Sequence, residues 1–261
     1  MSMCSAMGKK VRYVIAGGVV TALIVCAGNV ARYFFRIQTE KRKQDEINKT
    51  VDEAIVQDTA LPDNTGFNHA AWDALHAQNP DFMTWLQLDN GTMSLPVVQA
   101  KDNNAYLRHG FDKEYNVYGT PFLDAENTLS DDNLMIYGHS IDYGPQIMFT
   151  PLMNYTDQDT FNQNHTITIW WEDTKEQYSI TNVYYLTERM LSSYSYAQLV
   201  FPTEESFIKW IEIPDQNNLI QAEQSAKYGD KLLTLQTCKP NTNAATKLIV
   251  IAKRISETEY E

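Results

Sequence analysis

The sequence predicts a mostly-β domain that forms a closed or nearly closed barrel, with helices at its N-terminal side and one helix in a long excursion late in the chain. Short β-prone runs bounded by turn residues predict the barrel, and two helical patterns interrupt them. A mostly apolar run near the N-terminus predicts a transmembrane helix. Apolar residues make up 43% of the 261 residues, which is enough for a sizeable core.

The first 36 residues predict a membrane anchor. Lys9, Lys10 and Arg12 precede a mostly apolar run over 13–31, about as long as a helix that crosses a ~30 Å hydrocarbon core. A cleavable signal peptide is the alternative, but the run is longer than a typical signal-peptide core and no clean cleavage site follows it. Cations flank both ends, so charge alone leaves the orientation open. We divide the chain into an N-terminal tail (1–12), a transmembrane anchor (13–35), a juxtamembrane stalk (36–66) and a folded domain (67–261).

Residue patterns predict the elements of the folded domain. The spacing of Trp72, Leu75 and His76 predicts a helix over 69–78. The run 202–213 begins with Pro-Thr-Glu-Glu and places its large apolar residues on one face, which is typical of an amphipathic helix. Apolar and polar residues alternate in 166–171 and in 177–185, on either side of a short polar turn, which predicts a hairpin. Strands are predicted at 95–99, 121–123, 133–137, 166–171, 177–185, 231–237 and 247–253.

The distribution of charge excludes nucleic acid as a partner of the folded domain. The formal charge is -12. Residues 1–50 hold nine Lys or Arg and three Asp or Glu, a net of +6, so the remaining residues carry -18. Nucleic acid requires a cationic surface, which this part of the chain lacks. We interpret the acidity as a solubilising surface.

Cys238 is the only cysteine of the folded domain, because Cys4 precedes the apolar run and Cys26 lies within it. Composition alone favours a buried structural thiol. However, Cys238 ends a predicted strand directly before a Pro/Asn-rich loop, and such a position is accessible to a substrate. A thiol there needs assistance, since the thiolate is the nucleophile and a free cysteine ionises only near pH ~8.5.

His139 is the candidate partner of this thiol. It follows an apolar strand in Tyr137-Gly-His-Ser140 and could exchange a proton with Cys238 and protonate a leaving amine. A structural role is the alternative. The other four histidines show no metal-ligand spacing with Cys238, so we predict neither a metal site nor a cofactor.

A cation near the thiol would stabilise the negative charge that develops on oxygen during acyl transfer. Lys247 opens the strand after the Cys238 loop, and Arg254 ends the same strand. They are roughly 23 Å apart along a strand and on opposite faces, because the offset is odd. Lys247 is nearer to Cys238 and is therefore the candidate.

The segments that contain Cys238 and His139 resemble the sortase family, and within it the class B sortases. Thr234-Leu-Gln-Thr-Cys238 matches the family's Thr-Leu-x-Thr-Cys box, and Leu134-Met-Ile-Tyr-Gly-His139 matches the segment that carries its histidine. Further segments follow in the class B order: Asn79-Pro-Asp-Phe-Met-Thr-Trp85-Leu, Leu95-Pro-Val-Val-Gln99, Asp102-Asn-x-x-Tyr106-Leu, Gly119-Thr-Pro-Phe-Leu-Asp124, and the stretch from Gly144 to Leu152.

The resemblance implies an eight-stranded sortase barrel at the cell membrane, with a single-pass type II anchor, a cytoplasmic N-terminus and an extracellular catalytic domain. Cys238 would attack the carbonyl of a Thr in an Asn-Pro-x-Thr-Asn-like sorting signal of a surface protein. An amine of peptidoglycan or its lipid-linked precursor would resolve the thioacyl intermediate. His139 would be the acid/base partner, and Thr237 would lend a hydroxyl or a backbone donor to the oxyanion. A groove beside the excursion would bind the signal, with Tyr194, Tyr196 and Leu199 as wall residues.

The sequence departs from the family at its third catalytic residue, an Arg at the start of the strand after the cysteine. Aligning the apolar run of that strand puts Lys247 there, and aligning without a gap puts Leu248 there. Lys247 could act as a point charge, although a lysine cannot donate the two parallel hydrogen bonds that an arginine can. Alternatively, Arg108 or Arg189 is recruited, or the protein is inactive. We assign the role to Lys247.

Three other functions are compatible with the sequence. An extracellular thiol hydrolase would use Cys238 and His139 with water as acceptor. A pilin polymerase of the same family would use a lysine of another subunit as acceptor. A non-catalytic anchored binding module would keep Cys238 buried.

Overall fold

An eight-stranded barrel follows a long N-terminal helix in this chain. The computed structural model describes residues 3–57, 67–141, 146–238 and 246–259. The chain divides into two units, Met1–Lys43 and Gln44–Glu261.

The N-terminal helix α1 (Met3–Gln57) contains a stretch that is long and apolar enough to span a membrane. This stretch is exposed and is compatible with the predicted anchor. The helix continues through much of the predicted stalk. Its last part belongs to the second unit, where Val51 is buried in a cluster with Phe67 and Trp72. Residues 58–66 of the predicted stalk lie outside the described residues, so the domain boundaries stay predictions.

Eight strands close into a barrel in the order β1-β2-β3-β4-β7-β8-β6-β5. Most neighbours are antiparallel, whereas the pairs β2–β3 and β4–β7 are parallel. Closure leaves no free sheet edge and confirms the predicted fold. The strands are β1 (Phe82–Leu88), β2 (Ser94–Val98), β3 (Phe122–Leu123), β4 (Asn133–Tyr137), β5 (Thr166–Trp170), β6 (Thr174–Leu186), β7 (Leu232–Cys238) and β8 (Lys247–Glu259).

The helices of the second unit surround this barrel. Three begin at side-chain caps: the side chains of Asn68, Asp157 and Thr203 accept from the backbone N–H groups of Ala71, Thr160 and Ser206. These caps satisfy N–H groups that a helix start otherwise leaves unpaired. The helices are α2 (His69–Gln78), α3 (Gln158–Gln163), α4 (Glu188–Leu191), α5 (Glu204–Gln216) and a 3-10 helix (Thr150–Thr156).

Alternating side chains divide β7 and β8 between two cores. Leu233 and Leu235 point into the barrel and belong to its interior cluster. Leu232 lies on the outer face, where it packs with Trp210 of α5. The outer face of β7 also carries Cys238, two residues beyond Gln236 and six beyond Leu232. This assignment of faces decides which side chains reach the site.

The structure differs from the sequence prediction mainly at β1. Its segment is apolar without alternation, because residues such as Leu86 and Leu88 fill the barrel while Phe82 and Trp85 pack in the cluster that contains α2. Burial of both faces removes the period of two that reveals a strand. In addition, β8 extends six residues beyond its predicted end, to Glu259.

Candidate active site

The parallel pairing of β4 with β7 brings His139 and Cys238 to one rim of the barrel. Tyr137 is the register partner of Gln236, and the N–H of Gly138 donates to the carbonyl of Gln236 at 3.0 Å. Each reactive residue lies two positions beyond its strand's member of that pair. The two residues therefore lie at the same end of the barrel.

Gly138 is required by the packing beneath His139. A Cβ at this position would come within 2.6 Å of the Phe149 ring, which is closer than real Cβ contacts. The N–H of Phe149 in turn donates to the carbonyl of His139 at 2.9 Å. The ring and this hydrogen bond fix the backbone that carries the histidine.

A backbone carbonyl orients the His139 ring. Nε2 lies 2.9 Å from the carbonyl oxygen of Leu107. Because a carbonyl only accepts, Nε2 carries the proton of this hydrogen bond, and Nδ1 is the second nitrogen of the ring. Next to it, the Ser140 hydroxyl donates to the carbonyl of Cys238. This contact ties the segment of the histidine to the strand of the cysteine.

His139, Cys238 and Lys247 line one cavity of about 320 Å³. Cys238 is a half-buried free thiol. Within the described part of the chain, the lining contains one Lys or Arg, which is Lys247, and no Asp or Glu. The other lining residues are Asn103, Leu107, Thr120, Phe122, Tyr137, Gly138, Tyr196 and Gln236.

Lys247 is the register partner of Cys238 across the antiparallel β7–β8 pair. Its Nζ donates to Oε1 of Gln236 at 3.1 Å and to the hydroxyl of Tyr196 at 3.3 Å. The ammonium also lies 5.4 Å from the centre of the Tyr196 ring, within the range of a cation–π interaction. The cation therefore has a defined place beside the thiol.

The alternatives to Lys247 do not reach this cavity. Leu248 is fully buried in the barrel interior, which excludes the alignment without a gap. Arg254 pairs with Glu176 and Glu257 at the other end of β8. Arg108 and Arg189 are exposed and are absent from the lining that the described residues form.

The structure does not bring the Thr237 hydroxyl to the cavity. Thr237 lies between Gln236 and Cys238, so its side chain points to the opposite face, into the barrel. The residue is fully buried, and its Oγ1 has no hydrogen-bond partner among the described residues. Only its backbone could assist an oxyanion, and that part of the expectation stays a prediction.

Of the three expected wall residues, the structure places one in the cavity. Tyr196 lines it. Tyr194 is buried in the cluster under α5, and its hydroxyl lies 3.5 Å from the hydroxyl of Tyr184. The carbonyl of Leu199 accepts from the N–H of Asn133 at the start of β4, the end remote from His139.

Sequence reasoning missed three contributors. Gln236 stands inside the Thr-Leu-x-Thr-Cys box at its variable position, two residues before the thiol. That spacing was the available signal, because it places Gln236 on the same face as Cys238. Tyr137 lines the cavity and donates to Asp124 at 2.7 Å; burial and this carboxylate raise the pKa of its hydroxyl. The Leu107 carbonyl, a backbone group, left no signal in the sequence.

Comparison with known proteins places these features in a family. A family model described as Sortase domain matches residues 86–255. Sortase B of Staphylococcus aureus is 25% identical over 186 residues, which cover 70% of this chain and 74% of that protein. The X-ray structure of Clostridium perfringens sortase B is 30% identical, with a TM-score of 0.65, and the match covers 71% of this chain and 100% of that one. The 2.0 Å crystal structure of S. aureus sortase B shares the fold, with a TM-score of 0.71 at 22% identity and coverage of 83% and 99%.

Proposed function

Because the chain belongs to the sortase family of cysteine transpeptidases, and within it to class B, we propose that it cleaves a C-terminal sorting signal of surface proteins and transfers them to a cell-wall amine. The signal would resemble Asn-Pro-x-Thr-Asn, with cleavage after Thr. The observation that carries the proposal is the common cavity of Cys238, His139 and Lys247.

In the first half-reaction, the Cys238 thiol gives its proton to His139, its sulfur forms a bond to the threonyl carbonyl carbon, and the peptide C–N bond breaks. His139 passes that proton to the leaving amine. Since Nε2 donates to Leu107, we assign this transfer to Nδ1. Lys247 is the register partner of Cys238 and lines the same cavity, and its ammonium would stabilise the oxyanion of the tetrahedral intermediate.

In the second half-reaction, an amine of peptidoglycan or of its lipid-linked precursor attacks the thioester. A C–N bond forms and the C–S bond breaks, while His139 takes a proton from the attacking amine and gives it to the departing sulfur, which restores the Cys238 thiol. We propose that α1 anchors the enzyme as a single-pass type II protein, with the barrel outside the cell. Its length and apolar character support the span, and membership of the sortase family supports the orientation.

Mass spectrometry of the full-length chain in detergent tests this function. The chain is incubated with a panel of Asn-Pro-x-Thr-Asn peptides, and we expect an adduct of the acyl fragment on Cys238 that hydroxylamine removes. Cys238→Ala is the control and should form none. Absence of the adduct with every peptide, from a chain whose Cys238 reacts with a thiol probe, would contradict the proposal.

The acceptor is tested by adding amines to the same reaction. A transpeptidase should convert the product from a free acid to an amide as a glycine-terminated peptide is added. A product that stays the free acid at every amine concentration would instead support the thiol hydrolase. Transfer to a lysine side chain in preference to the glycine amine would support the pilin polymerase.

A further inference from the structure

We propose that Gln236 is a positioning residue that, together with Tyr196, holds the Lys247 ammonium so that one of its N–H groups remains for the substrate oxyanion. The inference rests on the proposed function, in which Lys247 stabilises that oxyanion. It gives a role to the variable residue of the Thr-Leu-x-Thr-Cys box in this chain.

The register of β7 and β8 creates this contact. Gln236 and Cys238 lie on the same face of β7, two residues apart. Lys247 is directly opposite Cys238, whereas the partner of Gln236 is Ile249. Lys247 is therefore the diagonal neighbour of Gln236, a separation that long side chains bridge. The distance of 3.1 Å from Lys247 Nζ to Gln236 Oε1 shows that these two side chains bridge it.

Donor and acceptor counting defines the geometry of the cluster. Oε1 of Gln236 accepts from Lys247 Nζ and from the Tyr196 hydroxyl, each at 3.1 Å, which uses both lone pairs of a carbonyl oxygen. Since Tyr196 gives its proton to Gln236, its oxygen accepts from Lys247 at 3.3 Å. An ammonium has three N–H groups, and these contacts use two.

Tyr196 is itself held in place by the excursion between β6 and β7. The indole N–H of Trp210 in α5 donates to the Tyr196 carbonyl at 3.1 Å, and Trp210 is buried. The ring of Tyr196 lies beside the ammonium at 5.4 Å from its centroid. We call the contacts of Gln236 and Tyr196 with the Lys247 ammonium the clamp. This clamp connects the strand of the cysteine with the packed core under α5.

Such a clamp matters more for a lysine than for an arginine. A lysine carries a compact charge on a flexible four-carbon stem, whereas a guanidinium presents a rigid fork of donors. Immobilising a long side chain costs free energy unless neighbouring groups fix it beforehand. Gln236 is only 6% exposed, so its amide is a preorganised acceptor rather than a mobile surface group.

A double-mutant cycle on the rate of thioacyl formation tests the clamp. Gln236→Met should lower kcat about 10-fold, the lower end for a lost hydrogen bond to a charged group, with KM nearly unchanged. In a Lys247→Met background the same substitution should change kcat by less than about 2-fold, because the two residues act through one contact. Gln236→Glu retains the acceptors but adds a negative charge, so it should recover part, and not all, of the kcat that Gln236→Met loses.

Gln177→Met is the matched control. Gln177 is a half-exposed strand residue whose Oε1 accepts from the Ser256 hydroxyl at 3.1 Å, and it is not in the lining. Its substitution should leave kcat unchanged. An equal loss from Gln236→Met in the parent and in the Lys247→Met background would overturn the proposal, since Gln236 would then act independently of Lys247.

A second readout does not depend on turnover. Acetylation of Lys247 by N-hydroxysuccinimidyl acetate, followed by peptide mapping, reports whether its amine is held. Gln236→Met and Tyr196→Phe should accelerate this modification, and an unchanged rate in both would overturn the clamp. If the parent forms no thioacyl adduct, the proposed function fails, while the acetylation rates still decide whether Gln236 holds Lys247.

Discussion

The two ends of the barrel contain cavities of opposite character. The end with Cys238 has a cavity of about 320 Å³, and the opposite end has one of about 740 Å³. In the larger cavity the buried carboxylate of Glu176 accepts from Trp171 at 2.9 Å, from Tyr178 at 2.7 Å and from Arg254. Arg254 also pairs with Glu257 at 2.9 Å. The positive charge of Arg254 is therefore neutralised by carboxylate partners.

The smaller cavity lacks such neutralisation. Within the described residues, Lys247 has uncharged partners there, and no carboxylate belongs to the lining. His139 binds a backbone carbonyl, so its ring has a fixed direction without an opposing charge. The reactive end is therefore recognised by charge left available for a substrate, and the size of a cavity does not identify it.

The largest expected effect is that of His139→Gln. Loss of the acid/base group should lower the rate of thioacyl formation by about 10²- to 10⁴-fold, the usual contribution of such a group. The rate is measured by quenched mass spectrometry on the full-length chain in detergent.

His76→Gln is the control at the opposite end, since His76 lines the larger cavity and stacks on Trp72. It should leave the rate unchanged. Comparable losses from the two substitutions would show that the two ends do not differ in the way that we infer.

Gly138→Ala tests the support beneath His139. The added methyl would overlap the Phe149 ring, and overpacking of this kind costs about 1–3 kcal/mol. Since the strain lies next to the histidine, we expect the rate of thioacyl formation to fall as well. Denaturant unfolding and the acylation assay measure the two effects.

Gly91→Ala is the control that shows the effect of backbone strain alone, at a position that is not in the cavity lining. Gly91 has a φ of 72°, and a Cβ there meets nothing within 4 Å. The substitution should lower the free energy of unfolding by about 1 kcal/mol through its backbone conformation alone, and leave the acylation rate unchanged. An acylation rate of Gly138→Ala equal to that of Gly91→Ala would contradict the role of Gly138.

Glu176→Gln tests the end of the barrel that contains the larger cavity. It removes the charge that Arg254 contacts, and a hydrogen bond to a charged group contributes about 2 kcal/mol. The free energy of unfolding should fall by about that amount, with no change in acylation rate. A fall in acylation with unchanged unfolding would indicate that the larger cavity takes part in the reaction.

Much of the fold was predictable because turn residues bound most of the strands. Seven predicted runs correspond to β2–β8, whereas β1 was missed because its segment shows no alternation after a helix-stopping Asn-Pro-Asp. The reactive residues were found because Cys238, His139 and Lys247 each stand next to the end of a strand. The register between strands about 100 residues apart could not be read from local patterns.

Long-range packing explains two of the results at the site. The Leu107 carbonyl reaches His139 only through the course of the loop before β3. Leu199 was expected near the thiol because it lies in the excursion, but its carbonyl binds the first residue of β4. Residue order along the excursion does not reveal at which end of the barrel each residue lies.

Among the substitutions at the reactive end, Lys247→Arg should have the smallest effect. A guanidinium at this position could still donate to Gln236 and stack on Tyr196, and it would present more donors to the oxyanion than an ammonium does. We expect the rate of thioacyl formation to equal or exceed that of the parent, whereas Lys247→Met should lower it by at least about 10-fold because the cation is lost. A large loss with arginine would mean that Lys247 does more than provide a positive charge, and would remove the assignment of this lysine to the position where the family has an arginine.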